Sequence, residues 1–155
     1  MIYMESTTIE PERTAAEIHA LLVDAGARQV LTEYNDKREI TGIHFVMAVN
    51  NQQIPFKMPV RTETILKYFT QKASKTGFLS ETKKQQITQK SKRVAWRQLY
   101  RWIQAQLAFI DAGMAETAEV FMPYLQTGPN ETLYQRAVIR GFERLALPEN
   151  TEETK

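Results

Sequence analysis

The chain of 155 residues contains no cysteine and only two histidines, His19 and His44. Without cysteine there is no disulfide framework, thiolate zinc site, iron–sulfur cluster or cysteine nucleophile. Two histidines are too few for a histidine-built metal site or a serine–histidine catalytic relay. We therefore expect no metal or other cofactor and no enzyme.

Long apolar runs are missing as well. No uninterrupted apolar stretch reaches the roughly 20 residues that a helix needs to cross a bilayer. The first ten residues, MIYMESTTIE, lack the basic and then apolar order of a signal peptide. We therefore expect a cytoplasmic protein with no membrane partner.

Charge is unevenly distributed, although the net charge is only +2. Residues 1–26 carry five carboxylates and one arginine, whereas residues 71–101 carry nine lysines and arginines and one glutamate. A segregated basic block favours a polyanionic partner, most simply a nucleic acid, because each neutralised phosphate releases bound counterions. A solvated helix face is the competing interpretation.

Hydrophobic periodicity predicts an α+β fold that opens with an α-β-β-β-α unit over residues 1–75. A helix from Pro11 or Thr14 to Gly26 precedes three strands, 27–34, 39–50 and 53–60, which read as an antiparallel meander. Thr14 and Glu17 form a capping-box pattern. A second helix over 61–75 follows, and we expect it to cover the apolar face of the sheet.

Two prolines mark the third strand as an edge of the sheet. Pro55 and Pro59 lie four positions apart, an even number, so both missing amides fall on the same side of the strand. An exposed edge leaves self-association, or pairing with a partner strand, open.

The second half of the chain is predicted to be helical. Residues 76–86 are polar and basic and are predicted to form a flexible connector. From Ile87 to Ala112 apolar residues recur at alternating spacings of three and four, which predicts one long helix closed by Gly113. Shorter helices over 115–126 and from Asn130 complete a helical unit over 87–147, packed on the first unit. The last helix is predicted to bury Leu133, Ala137, Val138 and Leu145. The acidic tail, 148–155, is predicted to be disordered.

The long helix carries the candidate site. Arg93, Arg97 and Arg101 recur every fourth residue, so they share one face and form what we call the basic ridge. Arginine binds phosphate bidentately and stacks on bases, and an exposed ring beside the ridge would add a stacking surface. No carboxylate lies at i±4 from these arginines, so their charge is left for a ligand or for a distant carboxylate. The predicted nucleic-acid contacts are Lys83, Lys84, Lys90, Lys92, Arg93, Arg97, Tyr100, Arg101 and Trp102.

The segment RVAWRQLYRWIQAQLAFIDAGMAETAEVFMPYLQ, with TLY a few residues later, resembles the C-terminal half of a family of small proteins encoded in bacteriophage and prophage genomes. In that family an Ala-Trp-Arg, a Trp-x-x-Ala-Gln-Leu-Ala, a Gly-Met and a Val-Phe-x-Pro-Tyr occur in this order. The resemblance implies a phage origin and no site chemistry. The residues at its motif positions include Trp96, Arg97, Trp102, Gln106, Pro123 and Tyr124.

These observations lead to the hypothesis of a phage-encoded, non-enzymatic accessory protein that binds nucleic acid in the host-cell cytoplasm, in replication or recombination. Single-stranded DNA is the favoured ligand, although the sequence does not separate DNA from RNA. With about six phosphates contacted, affinity should fall ~10³-fold between 50 and 200 mM salt. The alternative is a protein–protein module that inhibits or modulates a host or phage enzyme. The nucleic-acid hypothesis requires that the basic ridge has no internal counterions in the folded molecule.

Overall fold

The computed structural model describes residues 1–146, and the predicted acidic tail, 148–155, lies outside them. The elements, in chain order, are α1 (Pro11–Asp24), β1 (Gln29–Tyr34), β2 (Ile40–Val49), β3 (Gln52–Pro59), α2 (Thr62–Ser74), α3 (Glu81–Asp111), α4 (Thr117–Phe121), a 3₁₀ turn (Met122–Tyr124), β4 (Gln126–Gly128), β5 (Glu131–Thr132), α5 (Leu133–Arg140) and α6 (Glu143–Ala146). The α+β class, the meander after an N-terminal helix and the long helix are confirmed.

Helix α1 begins at the earlier of the two predicted positions. Pro11 occupies the first turn, where its missing amide needs no partner. Gly26 has a φ of +100° and lies just past the end of the helix, as a C-terminal glycine does. Thr14 is fully buried within the helix and Glu10 is the N-cap residue. The predicted capping box of Thr14 with Glu17 is therefore wrong.

Strands β1, β2 and β3 form an antiparallel meander in that order. Asn50 and Asn51 both have positive φ, 50° and 62°, as in the two-residue turns whose twist suits a hairpin. On one face of β2 the side chains of Ile43, Phe45 and Met47 are buried. The predicted apolar face is confirmed.

Helices α1 and α3 cover this apolar face. Ile18 and Leu22 of α1 and Trp96 and Ile103 of α3 belong to the same buried cluster as the residues of β2. Helix α2 packs instead against α3, so the prediction that α2 covers the sheet is wrong. The physical reason is the amount of apolar surface, because α3 buries several apolar residues between Val94 and Ile103 whereas α2 buries only Phe69.

Strand β3 is an edge of the three-stranded sheet, as predicted. The Val60 amide donates to the Thr41 carbonyl at 2.9 Å. Since alternate residues of a strand face opposite neighbours, Pro55 and Pro59 have their nitrogens on the outer side, where a missing amide costs no ladder bond. Within residues 1–146 an isolated bridge at Phe56 joins this outer side to the segment before β4.

Helix α3 begins earlier than its apolar periodicity predicts. It starts at Glu81 rather than Ile87, and the Ser80 hydroxyl accepts a hydrogen bond from the Lys83 amide at 3.2 Å as its N-cap. Residues 81–86 are all exposed, which explains why they show no apolar stripe. The predicted connector over 76–86 is therefore corrected, because 81–86 are helical and a short link over 75–80 joins α2 to α3 as an antiparallel pair.

The C-terminal part differs from its prediction in where it begins and what it buries. The β4–β5 hairpin occupies the predicted start of the last helix, and Thr132 rather than Asn130 is the N-cap of α5. Gly141, with a φ of +87°, separates α5 from α6. Val138 and Leu145, predicted to be buried, are exposed because no described element packs over them.

Candidate functional site

The basic ridge of α3 faces the N-terminal part of the chain. Its three arginines differ in exposure: Arg97 is only 7% exposed, the Arg93 side chain is 25% exposed and Arg101 is open to solvent. The ridge is thus covered at its first two arginines and free at its last.

Carboxylates of α1 and of its N-cap pair with the covered arginines. Glu10 Oε1 lies 3.5 Å from Arg93 Nη1. Glu17 Oε2 forms an ion pair and hydrogen bond with Arg97 Nη1. The guanidinium carbon of Arg97 also lies 4.1 Å from the centre of the Tyr100 ring. Burial, pairing and stacking together make Arg97 part of the α1–α3 interface.

The lysines beside the ridge are paired in the same way. Glu5 Oε1 lies 3.5 Å from Lys90 Nζ and 2.9 Å from Lys72 Nζ. The hydrogen bond from Lys72 lowers the pKa of the Glu5 carboxyl below its usual value. Lys92 pairs with Glu39, which precedes β2. The N-terminal segment is therefore attached to both α2 and α3 through one carboxylate.

The expectation of a ridge without internal counterions is wrong for Arg93 and Arg97, and two predicted contacts beside the ridge, Lys90 and Lys92, are paired as well. Their partners are far away in sequence, 53 residues for the pair of Lys92 and 80 residues for that of Arg97, so helical spacing could not reveal them. One sequence signal could have revealed these partners, because the acidic stretch 1–26 and the basic stretch 71–101 have opposite charges. The folded chain brings the two stretches together.

The two predicted stacking residues are half-buried. Tyr100 lies beneath Arg97. The Trp102 ring is 5.9 Å from the Phe121 ring and 5.6 Å from the Tyr124 ring, centre to centre, both in edge-to-face contacts. Neither ring lies open beside the ridge. Trp102 instead forms one wall of a cleft.

The two remaining predicted lysines lie at the end of the α2–α3 pair, in a surface that we call the basic tip: Lys75, Phe78, Lys83 and Lys84. Phe78 is 93% exposed, and Lys75 and Lys83 are exposed as well. Lys84 Nζ lies 3.3 Å from a carboxylate oxygen of Glu81, but both side chains are more than half exposed and such surface pairs contribute little. Sequence reasoning did not select Phe78, because a single ring in a polar loop has no periodic pattern.

An open cleft of about 420 Å³ lies where β3, α2, α3, the 3₁₀ turn and α5 meet. We call it the aromatic cleft and define it by Trp102, Tyr124, Tyr134, Arg61 and Gln98, which line it together with apolar residues. Of these residues only Trp102 was a predicted contact. The others come from α3, the 3₁₀ turn, α5 and the N-cap position of α2, and their proximity is a product of the tertiary structure.

Metal sites and membrane-spanning helices are two further features that could define a function. Among residues 1–146, histidine, aspartate and glutamate do not gather in threes as a metal ion would require. In the described range no helix combines the length and the apolar character needed to cross a membrane.

Comparisons with known proteins found no matching family model, no matching curated protein and no matching solved structure. The resemblance of residues 93–134 to phage-encoded proteins therefore stays a prediction.

Proposed function

We propose that the protein binds single-stranded DNA with low sequence specificity through the basic tip, as a phage-encoded accessory protein of replication or recombination. The observation that carries this proposal is the exposure of the tip: three exposed lysines lie within six residues along the chain of Phe78, which is 93% exposed. Lysines that contact phosphates bind without reading sequence, and an exposed ring stacks on any base.

The size of the tip sets the expected salt dependence. Each phosphate neutralised on a single strand contributes about 0.7 to the slope of log affinity against log salt. Three lysines therefore predict a slope near −2, or a roughly 20-fold loss of affinity between 50 and 200 mM salt. This loss is smaller than the one expected from the sequence, because two of the three ridge arginines, Arg93 and Arg97, are already paired within the protein.

Fluorescence anisotropy with a labelled oligothymidylate tests the proposal. We expect saturable binding at 50 mM salt, the 20-fold loss at 200 mM, and at least a ten-fold loss in the double variant Lys83→Glu and Lys84→Glu. Glutamate is favourable in the first turn of a helix, so this variant is expected to fold.

The matched control is Arg28→Glu with Lys37→Glu, which makes the same change in net charge at two exposed positions outside the tip. Equal losses in the two double variants, or binding that ignores salt, would exclude the tip as the contact surface. No binding at all would exclude the proposed function.

A protein–protein module is the second candidate function. It is supported by an exposed apolar surface on α5 and α6, where Ile139 is 77% and Leu145 72% exposed. Arg140 and Arg144 flank this surface, so an apolar partner surface with an acidic rim would complement it. The test is capture of a protein partner after nuclease treatment. A partner that is lost in Ile139→Asp but still binds the Lys83→Glu, Lys84→Glu variant would favour this function over DNA binding.

A further inference from the structure

The aromatic cleft has the composition of a ligand site. Its volume of about 420 Å³ falls within the range of roughly 300–1,000 Å³ that such sites occupy. Trp102, Tyr124 and Tyr134 supply aromatic walls, and Arg61 and Gln98 supply polar groups. Apolar walls with a few polar groups hold a ligand by its ring and orient it by its polar atoms.

The walls are ordered before any ligand arrives. The Trp102 ring is held by edge-to-face contacts with Tyr124 and with Phe121, which is fully buried. Tyr134, in contrast, is 44% exposed on the rim, with its ring 6.2 Å from the Phe142 ring, centre to centre. Since Trp102 and Tyr124 need no reordering, stacking a flat ligand in the cleft has a small entropic cost.

Arg61 determines which flat ligand fits best. It is the exposed N-cap residue of α2, and among residues 1–146 it takes part in none of the ion pairs that hold the ridge cations. A guanidinium binds a phosphate group bidentately. Aromatic walls beside an available guanidinium match a planar ring that carries a negatively charged group.

We infer that the aromatic cleft binds a nucleotide, with its base against Trp102 and Tyr134 and its phosphate on Arg61. Two ligands present the same base and phosphate groups: a free mononucleotide, and an unstacked nucleotide within a single strand. The second of these rests on the proposed function.

Helix α2 connects the cleft to the basic tip. Its 13 residues extend about 20 Å at ~1.5 Å per residue. Thr64, Lys67 and Gln71 are exposed and recur at spacings of three and four, so they share one side of α2 and lead towards Lys75 of the tip. A strand that contacts the tip can follow this polar side and place one base in the cleft.

Tryptophan fluorescence of the full chain reports occupancy of the cleft. Trp96 is 1% exposed in the core, so a ligand that reaches a tryptophan must reach Trp102. We expect thymidine 5′-monophosphate, or a short oligothymidylate, to quench the emission saturably. Trp102→Phe should abolish this quenching while the protein remains folded, because phenylalanine keeps the contact with Phe121.

Two variants test the assigned contacts. Tyr134→Ala and Arg61→Ala should each weaken the quenching constant about ten-fold, since stacking on one ring and one charge-assisted contact each have about this effect. The matched controls are Tyr34→Ala and Arg28→Ala, exposed residues of the same types outside the cleft. Equal effects in the test and control variants would overturn the inference.

The outcomes separate this inference from the proposed function. If the mononucleotide quenches the emission equally in the unaltered protein and in the Lys83→Glu, Lys84→Glu variant, the cleft site is supported whether or not the tip binds DNA. Quenching by the oligothymidylate alone supports the cleft as a subsite for one base of a strand. Tip-dependent DNA binding without any quenching overturns the cleft site and leaves the proposed function standing. Quenching by a proline-rich peptide, with both nucleotide probes silent, overturns the inference in favour of a peptide groove.

Discussion

At the scale of single residues, Arg97 shows how a predicted ligand contact becomes a structural group. Its side chain is 9% exposed, and its Nε is buried without a hydrogen-bond partner among the described residues. Its Nη1 donates a hydrogen bond to Glu17, and its guanidinium group lies over the Tyr100 ring. A buried cation of this kind stabilises the fold only while its partners remain in place.

Arg97→Ala should lower the free energy of unfolding by about 2–4 kcal/mol, because it leaves the half-buried carboxylate of Glu17 with only the exposed Arg13, at 3.9 Å, and removes the stack on Tyr100. Arg101→Ala, at the exposed end of the same ridge, should change it by no more than about 0.5 kcal/mol. Urea unfolding of both variants measures the difference. Equal losses would show that the Arg97 ion pair contributes no more than a surface arginine.

Two further residues make stability depend on pH in the same direction. Burial lowers the pKa of His19, whose Nε2 lies 2.9 Å from the Thr32 hydroxyl. The hydrogen bond from His44 at 2.9 Å lowers the pKa of Glu33. In each case the unfolded chain binds a proton more readily than the folded chain, so acid favours unfolding.

The contribution of His19 to the free energy of unfolding is complete above the pKa of about 6.5 that the residue has in the unfolded chain. It is lost as the pH falls through the lower pKa of the folded state. The contribution of Glu33 is complete above about 4.5 and is lost below it. We therefore expect the free energy of unfolding to fall in both windows. His19→Gln should remove the loss between pH 7 and pH 5 and keep the loss near pH 4. Urea unfolding at these three pH values is the measurement, and an unchanged profile in His19→Gln would contradict the assignment.

At the scale of elements, the close approach of β2 and β3 depends on Gly42. A Cβ at this position would lie 2.9 Å from the Met58 carbonyl oxygen and 3.3 Å from the Pro59 Cα. Both neighbours are backbone atoms of β3, so they cannot move aside as a flexible side chain can. The glycine therefore permits the register that places Phe56 opposite Phe45 in the core.

Gly42→Ala should destabilise the protein by about 1–3 kcal/mol through this overlap. Gly128→Ala is the control, because a Cβ there would meet the Glu131 side chain at an ordinary 3.7 Å. Thermal unfolding of the two variants compares them. A loss in Gly128→Ala as large as that in Gly42→Ala would contradict the explanation.

At the scale of the whole molecule, the fold brings together two stretches of opposite charge. The acidic stretch 1–26 supplies Glu5, Glu10 and Glu17 to lysines and arginines of α2 and α3. Much of the basic stretch is therefore paired with carboxylates of the same chain, although the net charge is +2. The surface left for a polyanion is the part of the basic stretch that the acidic stretch does not reach.

Removing part of this match should enlarge the polyanion surface, if the protein binds DNA as proposed. Glu5→Gln with Glu10→Gln frees Lys72, Lys90 and Arg93, and should raise the affinity for oligothymidylate while steepening the salt slope by about 2 at ~0.7 per phosphate. The control, Glu12→Gln with Glu63→Gln, changes net charge equally at exposed carboxylates. Anisotropy titrations at several salt concentrations decide, and equal slopes in both variants would show that the freed cations do not reach DNA.

The element types as far as α3, and most of their bounds, were predictable because their signals are local. The φ of +100° at Gly26, the asparagine turn at residues 50–51 and the outward nitrogens of Pro55 and Pro59 all agree with their sequence patterns. The start of α3 was missed because its first turns touch nothing apolar and so carry no stripe.

The candidate site was only partly predictable. Lys83 and Lys84 keep the exposure that the charge pattern indicated, whereas Arg93 and Arg97 do not. The exposed fraction of a side chain depends on which other residues pack over it. The residues that pack above the ridge lie in another element.

The sequence by itself determined the order of helices and strands as far as α3, the apolar sheet face and the segregation of charge, since periodicity, chain breakers and composition act over a few neighbouring residues. Only the tertiary structure decided which charges meet, where Trp102 lies and that an aromatic cleft exists. These features depend on pairs of residues tens of positions apart, whose contact is set by how α1, α2 and α3 pack.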